Sequence, residues 1–188
     1  LTIDEGTRFM PEAARRLIGA IAHPLNQARE IGGAQRGYAI VFPEMLISAR
    51  ARVNRFVKLF AGDGGTSAYP CAVCNLYFDA CGMGLFGGKG VYDVRAFSQA
   101  MEGALPEGKI LSHDMIEGAL AGAALASDIS FFEGFPATIA SLLRRENRWT
   151  RGDWQLIGLL FSKKRFPQTG KRLSAIHRIW ILSNLLRS

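Results

Sequence analysis

Gly37-Tyr38-Ala39-Ile40-Val41-Phe42, followed at once by Pro43, is the stretch that most restricts how this chain can fold. Its β-branched and aromatic side chains suit a buried strand. A proline cannot donate to a ladder, so the composition predicts that the strand stops at Pro43. Segments of a different rhythm lie around it. Pro11 suits the first turn of a helix running to about Ala22, with Leu17, Ile18 and Ile21 on its apolar face, and His23-Pro24 ends it. Leu1 to Asp4 reads as a buried strand opening into the acidic loop Asp4-Glu5-Gly6-Thr7, and Ile129 to Phe132 as a further short strand. Strands alternating with helices predict an α/β class with a mainly parallel sheet flanked by helices.

The polar stretch from Asn26 to Arg36 reads as a surface loop. From Ser48 to Phe60, Val53, Phe56, Val57 and Phe60 recur at helical spacing, with Arg50, Arg52, Arg55 and Lys58 between them as a solvated basic face. Gly62-Asp63-Gly64-Gly65 is a break, and helices are predicted over Ala72–Ala80 and Val94–Met101. Ile139–Trp149 and Trp154–Phe161 read as two helices broken at Gly152. From Leu173 to Ser188, Leu173, Ile176, Ile179, Trp180, Leu182, Leu185 and Leu186 form a wide apolar stripe with Arg172, Arg178 and Arg187 off it. That pattern fits a helix lying in a membrane interface and equally one packed on a core. The expected division is a domain over 1–170 and an amphipathic interfacial helix over 171–188.

With 188 residues, 48% of them hydrophobic, and 21 glycines, the chain has enough apolar surface for one globular, loop-rich domain. A net charge of +7 favours phosphate-bearing partners or an anionic membrane surface. Nucleic acid is not an expected partner, because 16 acidic residues are spread among the 23 basic ones and the aromatics follow no RNA-binding pattern. No apolar run approaches the roughly eighteen residues of a membrane span. The first residues carry no signal peptide, and the chain reads as a piece of something longer. Cys71 and Cys74 have zinc-ligand spacing with Cys81 nearby, but a second pair and a neighbouring histidine are missing, which favours small reduced thiols.

Four stretches carry chemistry, the acidic loop with Asp4 and Glu5 among them. Leu111-Ser112-His113-Asp114-Met115-Ile116-Glu117-Gly118 places a carboxylate at an expected helix start, where free amides keep it ionised and fit to act as a base. Arg144-Arg145-Glu146-Asn147-Arg148-Trp149-Thr150-Arg151-Gly152-Asp153-Trp154-Gln155 packs arginines and tryptophans densely enough to clamp a diphosphate and stack on a sugar. Gly82 to Gly90 surrounds Lys89 with glycines, which suits close backbone approach to a ligand and equally a set of structural turns. It lacks the Gly-Lys-Ser/Thr ending of a Walker loop. Each has a plainer reading: Asp4 and Glu5 as loop carboxylates, Asp114 as a cap, the arginines as a solvated face. Taken in order along the chain, they match what an inverting glycosyl transfer requires, namely charge for the leaving diphosphate, a base and an acceptor surface.

That order resembles the inverting, processive glycosyltransferases with the GT-A fold, the group containing cellulose, chitin and hyaluronan synthases. Within it the chain is most similar to the transferase domain of cyclic β-1,2-glucan synthases. The matching blocks are Ala14-Arg15-Arg16-Leu17, Ala22-His23-Pro24-Leu25-Asn26, Phe60-Ala61-Gly62-Asp63, Gly88-Lys89-Gly90-Val91-Tyr92-Asp93-Val94, Ser112-His113-Asp114 with Glu117-Gly118, and Arg148-Trp149-x-Arg151-Gly152-Asp153-Trp154-Gln155. The resemblance implies a GT-A-like sheet, of which this chain is the C-terminal half, in a larger multidomain protein at the cytoplasmic face of a bacterial inner membrane. It implies UDP-glucose as donor, a β-glucan as acceptor, Mg²⁺ or Mn²⁺ held by Asp4, and Asp114 as catalytic base. Arg148, Trp149 and Arg151 would bind the diphosphate, and Gly88, Lys89, Gly90, His113 and Trp154 the sugars. Three departures stand out. Gly6 replaces the second acid of the Asp-x-Asp motif, Met83 replaces an acid, and Glu146 replaces a glutamine. The alternative reading is a degenerate domain that binds glucan or a protein partner without turnover.

Overall fold

The computed structural model describes residues 1–31, 34–51, 54–61, 72–105, 110, 114–162 and 172–187. Its first half contains β1 (Arg8–Phe9), α1 (Ala13–Ala22), the hairpin strands β2 (Arg29–Ile31) and β3 (Ala34–Arg36), β4 (Ile40–Ile47), α2 (Arg55–Phe60) and α3 (Ala72–Cys81). There follow β5 (Val91–Tyr92), α4 (Val94–Met101), α5 (Asp114–Ala121), β6 (Ala123–Glu133), α6 (Ile139–Gln155), α7 (Ile157–Phe161) and α8 (Ala175–Arg187).

The α/β class holds, but the sheet is mixed rather than mainly parallel. Its order is β1-β6-β4-β5; β4 and β6 run parallel, while β1 on β6 and β5 on β4 are antiparallel. Short edge strands close both sides, which leaves the parallel pair central. Alternation along that pair feeds two cores. Val41, Ala124, Ile129 and Phe131 face α1 through Ala13 and Leu17, and each large side chain fully buried there contributes about 1.5–3 kcal/mol. Ile40, Phe42 and Ala123 face the other way, onto Phe86, Ala100 of α4 and Ala121 of α5. A third core joins Met115, Ile116 and Leu120 of α5 to Leu156, Leu173, Trp180 and Ile181.

Several boundaries differ from those expected. β4 runs through Pro43, which is buried; the register jumps there from Pro43↔Ala126 to Glu44↔Ser130, so Ser127, Asp128 and Ile129 have no partner on β4. A bulge tolerates a residue without an N–H. Arg16 of α1 pairs with Asp128 at that bulge. Asn26–Arg36 is no plain loop, since it contains the β2–β3 hairpin. The helix expected over Ser48–Phe60 is divided, with a 3-10 turn at Ala49–Ala51 and then α2, whose start is fixed by Asn54 Oδ1 accepting from Val57 N at 2.8 Å. Gly152 does not break α6, which continues to Gln155; the chain turns at Leu156 instead. Leu1 and Ile3 are exposed, and Thr2 makes only an antiparallel bridge to Gly90, so the first residues edge the sheet instead of forming a buried strand. On α1, Ile18 is exposed while Leu17 is buried.

The C-terminal stripe packs inward. Trp180 (3% exposed) and Ile181 (1%) enter the third core, whereas Ile179, Leu182 and Leu186 remain exposed. Asn184 Nδ2 donates to Asp153 Oδ1 at 3.2 Å and lies 4.0 Å from Met115 Sδ, tying α8 to both α6 and α5. Among the described residues no helix is long and apolar enough to cross a membrane.

Two helical glycines give opposite expectations. A Cβ on Gly19 of α1 meets nothing within 4 Å, so Gly19→Ala should raise stability by about 0.5–1 kcal/mol through helix propensity. On Gly118 of α5 the same atom would lie 2.7 Å from Phe86 Cβ, the root of a buried side chain. There overpacking, at about 1–3 kcal/mol, outweighs the propensity gain, and Gly118→Ala should lower the urea midpoint.

Candidate active site

The segment Gly84–Gly90 runs along α5 in the opposite direction. Gly84 N donates to Ala123 O at 2.8 Å, Phe86 meets Gly118, and Gly88 meets Asp114 at the first residue of the helix. A Cβ on Gly88 would lie 2.8 Å from Asp114 Oδ2 and 3.1 Å from Cγ, so the carboxylate rests on bare backbone. Gly88 also has φ +89°, a conformation that side chains rarely adopt. Both constraints require glycine at this position. Gly90 packs its Cα against β4, where a Cβ would stand 2.6 Å from Val41 O.

Between these glycines Lys89 points into a pair of acids. Its Nζ donates to Glu133 at the end of β6 and lies 3.1 Å from Asp4 Oδ2. The lysine side chain is 10% exposed and that of Asp4 is 77% exposed, so a buried ammonium sits beneath an acid that faces solvent. Asp4 is held by a turn: Thr7 N donates to Asp4 O at 3.1 Å, and Asp4 N donates to Thr7 Oγ1 at 3.2 Å. Gly6 is the turn residue with φ +82°. A side chain in this conformation would be strained, which suits glycine there. Thr2, paired with Gly90 through Thr2 N to Gly90 O at 2.8 Å, fastens the turn to the Gly-rich segment.

The arginine–tryptophan helix reaches the same corner through a different residue from those expected. Thr138 and Ser141 form the capping box that starts α6. One turn on, the Arg145 guanidinium lies 5.2 Å from the Phe135 ring centroid and 4.7 Å from that of Trp149. Burial lowers the Arg145 pKa, while Glu146 and then Glu133 oppose that shift and Arg148 adds to it. Arg145 is thus within electrostatic reach of the glutamate that grips Lys89. Arg148 and Arg151 are exposed, Trp149 is half-buried under Arg145, and Trp154 is 51% exposed towards the end of the helix.

Tyr92 closes the Asp114 side. Burial pushes its hydroxyl up to about 12, against a hydrogen bond with Thr2, and the Glu117 and Asp114 carboxylates add to the rise. Edge-on contacts with Phe86 and Phe97 hold the ring. At neutral pH it remains an O–H donor beside two acids.

Asp4, Gly88, Lys89, Gly90 and Asp114 therefore meet in one place. Arg148 and Trp149 border it through Arg145, and no described contact brings Arg151 or Trp154 into it. Ser112 and His113 lie outside the described residues, as do Cys71 and the break at 62–65. Cys81 carries an exposed free thiol. Met83 packs against the third core, a use that suits methionine where an acid was expected. The described residues contain no group of three His, Cys, Asp or Glu side chains arranged to hold a metal. Glu133 and Arg145 were not singled out from the sequence. The available signals were an acid closing a strand ahead of Gly134 and an Arg–Trp pair at i, i+4.

No protein-family model matches the chain. Among curated proteins it aligns with the cyclic beta-(1,2)-glucan synthase NdvB of Rhizobium meliloti (strain 1021), at 35% identity over 193 residues. The alignment covers 100% of this chain and 7% of that relative.

The Tyr92 environment has a measurable consequence at high pH. The unfolded phenol titrates near 10.0, so between about pH 10 and 12 the unfolded chain has released a proton that the folded protein keeps. The contribution is fully present below pH 10 and is lost as pH rises through 12. Tyr92→Phe should make the fall of Tm with pH shallower in that window. An unchanged slope would place the hydroxyl in solvent.

Proposed function

We propose, from the chain's relation along its whole length to a segment of a cyclic β-(1,2)-glucan synthase, that it carries part of the catalytic centre of a glycosyltransferase. The reaction proposed moves glucose from UDP-glucose onto a growing β-glucan with inversion. The observation that carries this reading is the Asp114 carboxylate lying on Gly88, one residue before Lys89, whose ammonium pairs with Asp4 and Glu133. The carboxylate and the Gly-Lys-Gly segment meet although they are distant in sequence.

In this reading Asp114 accepts the proton of the acceptor hydroxyl as that oxygen bonds to the anomeric carbon. The bond from that carbon to the diphosphate oxygen breaks on the opposite face, and UDP leaves with its electron pair. Lys89, Arg145 and Arg148 meet the phosphate charge, with Arg151 further along the same helix. Gly88 and Gly90, with Lys89 between them, would line the sugar site, Trp149 and Trp154 offer aromatic faces, and His113 adjoins the base in sequence. Asp4 would hold Mg²⁺ or Mn²⁺, which would supply positive charge to the leaving diphosphate. In the structure the Asp4 carboxylate is paired with Lys89. The proposed setting is a longer multidomain protein at the cytoplasmic face of a bacterial inner membrane, with Ile179, Leu182 and Leu186 of α8 exposed towards the lipid surface.

A second reading, a degenerate domain that binds glucan or a protein partner without turnover, is favoured by one observation. Gly6 leaves the acidic turn with one aspartate, and Lys89 already neutralises it. Measured turnover of UDP-glucose would remove it.

Asp114→Asn should abolish glucose transfer while UDP affinity stays within about twofold, since only the proton acceptor is lost. Loss of both together would make Asp114 structural. Arg145→Ala and Arg148→Ala should each weaken UDP binding by about tenfold, the scale of one charge-assisted hydrogen bond. Calorimetric titration of UDP reads this directly, and unaltered affinity removes that arginine from the diphosphate site.

A further inference from the structure

We infer that Thr2 is a positioning residue for Asp114: its hydroxyl pins the Gly88 carbonyl and so fixes the bare backbone on which the Asp114 carboxylate lies. This gives Thr2 a part in the proposed transfer, and it rests on the reading of Asp114 as the base.

Thr2 is joined to the Gly-rich segment twice, once by main chain and once by side chain. The main-chain bridge, Thr2 N to Gly90 O at 2.8 Å and Gly90 N to Thr2 O at 3.3 Å, reaches Gly90 only. The hydroxyl reaches two residues further back. Thr2 Oγ1 stands 3.3 Å from Gly88 O, 3.2 Å from Gly90 O and 3.3 Å from Gly90 N. A hydroxyl has one proton to donate and two lone pairs that accept. Gly90 O already takes the shorter bond from Thr2 N, so the hydroxyl proton counts most at Gly88 O. The lone pairs then serve Gly90 N–H and the phenol of Tyr92, which hydrogen-bonds Thr2.

Gly88 needs such a hold. At φ +89° and without a side chain, its backbone has wide freedom and no packing of its own to limit it. The Asp114 carboxylate lies so close that a Cβ there would stand 2.8 Å from Oδ2. A shift of Gly88 therefore moves the floor beneath the base. Tyr92, on the same hydroxyl, has the Glu117 and Asp114 carboxylates beside it, so one side chain links the Gly-rich segment, β5 and the acids of α5. Thr2 is exposed, and water can take the place of its hydroxyl at Gly88 O. Removing the hydroxyl should then cost the fold little and the fixed position much.

The test is Thr2→Val in the full-length protein, which keeps the shape and the main-chain bridge and removes the hydroxyl. Its kcat should fall about tenfold while the KM for UDP-glucose and the Tm hold, the scale of one lost positioning hydrogen bond. Thr2→Ser should restore kcat to within about twofold of wild type. Hydrogen exchange over residues 86–90 should quicken in Thr2→Val but not in Thr2→Ser, a readout that needs no turnover. Unchanged kcat in Thr2→Val, a Thr2→Ser protein as slow as Thr2→Val, or unaltered exchange over 86–90 each overturns the inference. A joint fall of Tm and kcat also overturns it, because Thr2 is then merely structural. Should Thr2→Val not fold, Thr2→Ala at this exposed position reads the same changes. A wild-type protein without turnover overturns the transferase reading instead, and the exchange measurement then decides alone whether the hydroxyl holds Gly88.

Discussion

The parallel pairing of β4 with β6 is the constraint on which the rest of the molecule hangs. Parallel neighbours cannot be joined by a hairpin, so the chain between them must cross over and return. The Gly-rich segment, β5, α4 and α5 all lie in that crossover, and α5 ends beside the residue where β6 begins. Because Gly84–Gly90 runs against α5, the loop's lysine and the helix's first carboxylate arrive together near the far end of β6. The candidate site residues gather at that end because the return path leads there. Carboxyl ends of parallel strands are a common location for ligand sites in open α/β sheets.

Charge is handled differently on the two sides of this corner. Lys89 has traded water for two carboxylates, an exchange that roughly balances as long as both partners stay. Arg145 has traded water for aromatic faces and one neighbouring glutamate, and burial weakens its hold on the proton. Glu133 serves both cations.

The sequence made some elements legible and hid others, for physical reasons. Val94–Met101 came out to the residue because Asp93 caps it and nothing competes with its helical pattern. Pro43 misled, since a missing N–H ends a regular ladder but is tolerated at a bulge that a single segment cannot reveal. Gly152 misled in the opposite sense: its usual flexibility is overridden by burial within a helix of 17 residues. The Asp114 helix and the Gly-rich segment were both visible, but their contact was not, because no local pattern encodes which loop a carboxylate will rest against. Glu133 stayed hidden because its partner Lys89 is distant in sequence, and Arg145, though within the arginine–tryptophan stretch, was not marked off from its neighbours because its burial between Phe135 and Trp149 is a tertiary feature. The inward packing of α8 depended on Asp153 and Met115, which no reading of its own stripe includes.

The three unpaired residues at the β6 bulge also set the parity of the strand beyond them. Before the bulge, even-numbered Ala124 and Ala126 face α1; after it, odd-numbered Phe131 does. Insertion or deletion of one residue there would turn Phe132 into the core and carry Glu133 to the opposite face, away from Lys89. Only a change by an even number of residues keeps Phe131 on the α1 face and Glu133 on the side of Lys89. The spacing between Ala126 and Ser130 thus decides which face Glu133 presents.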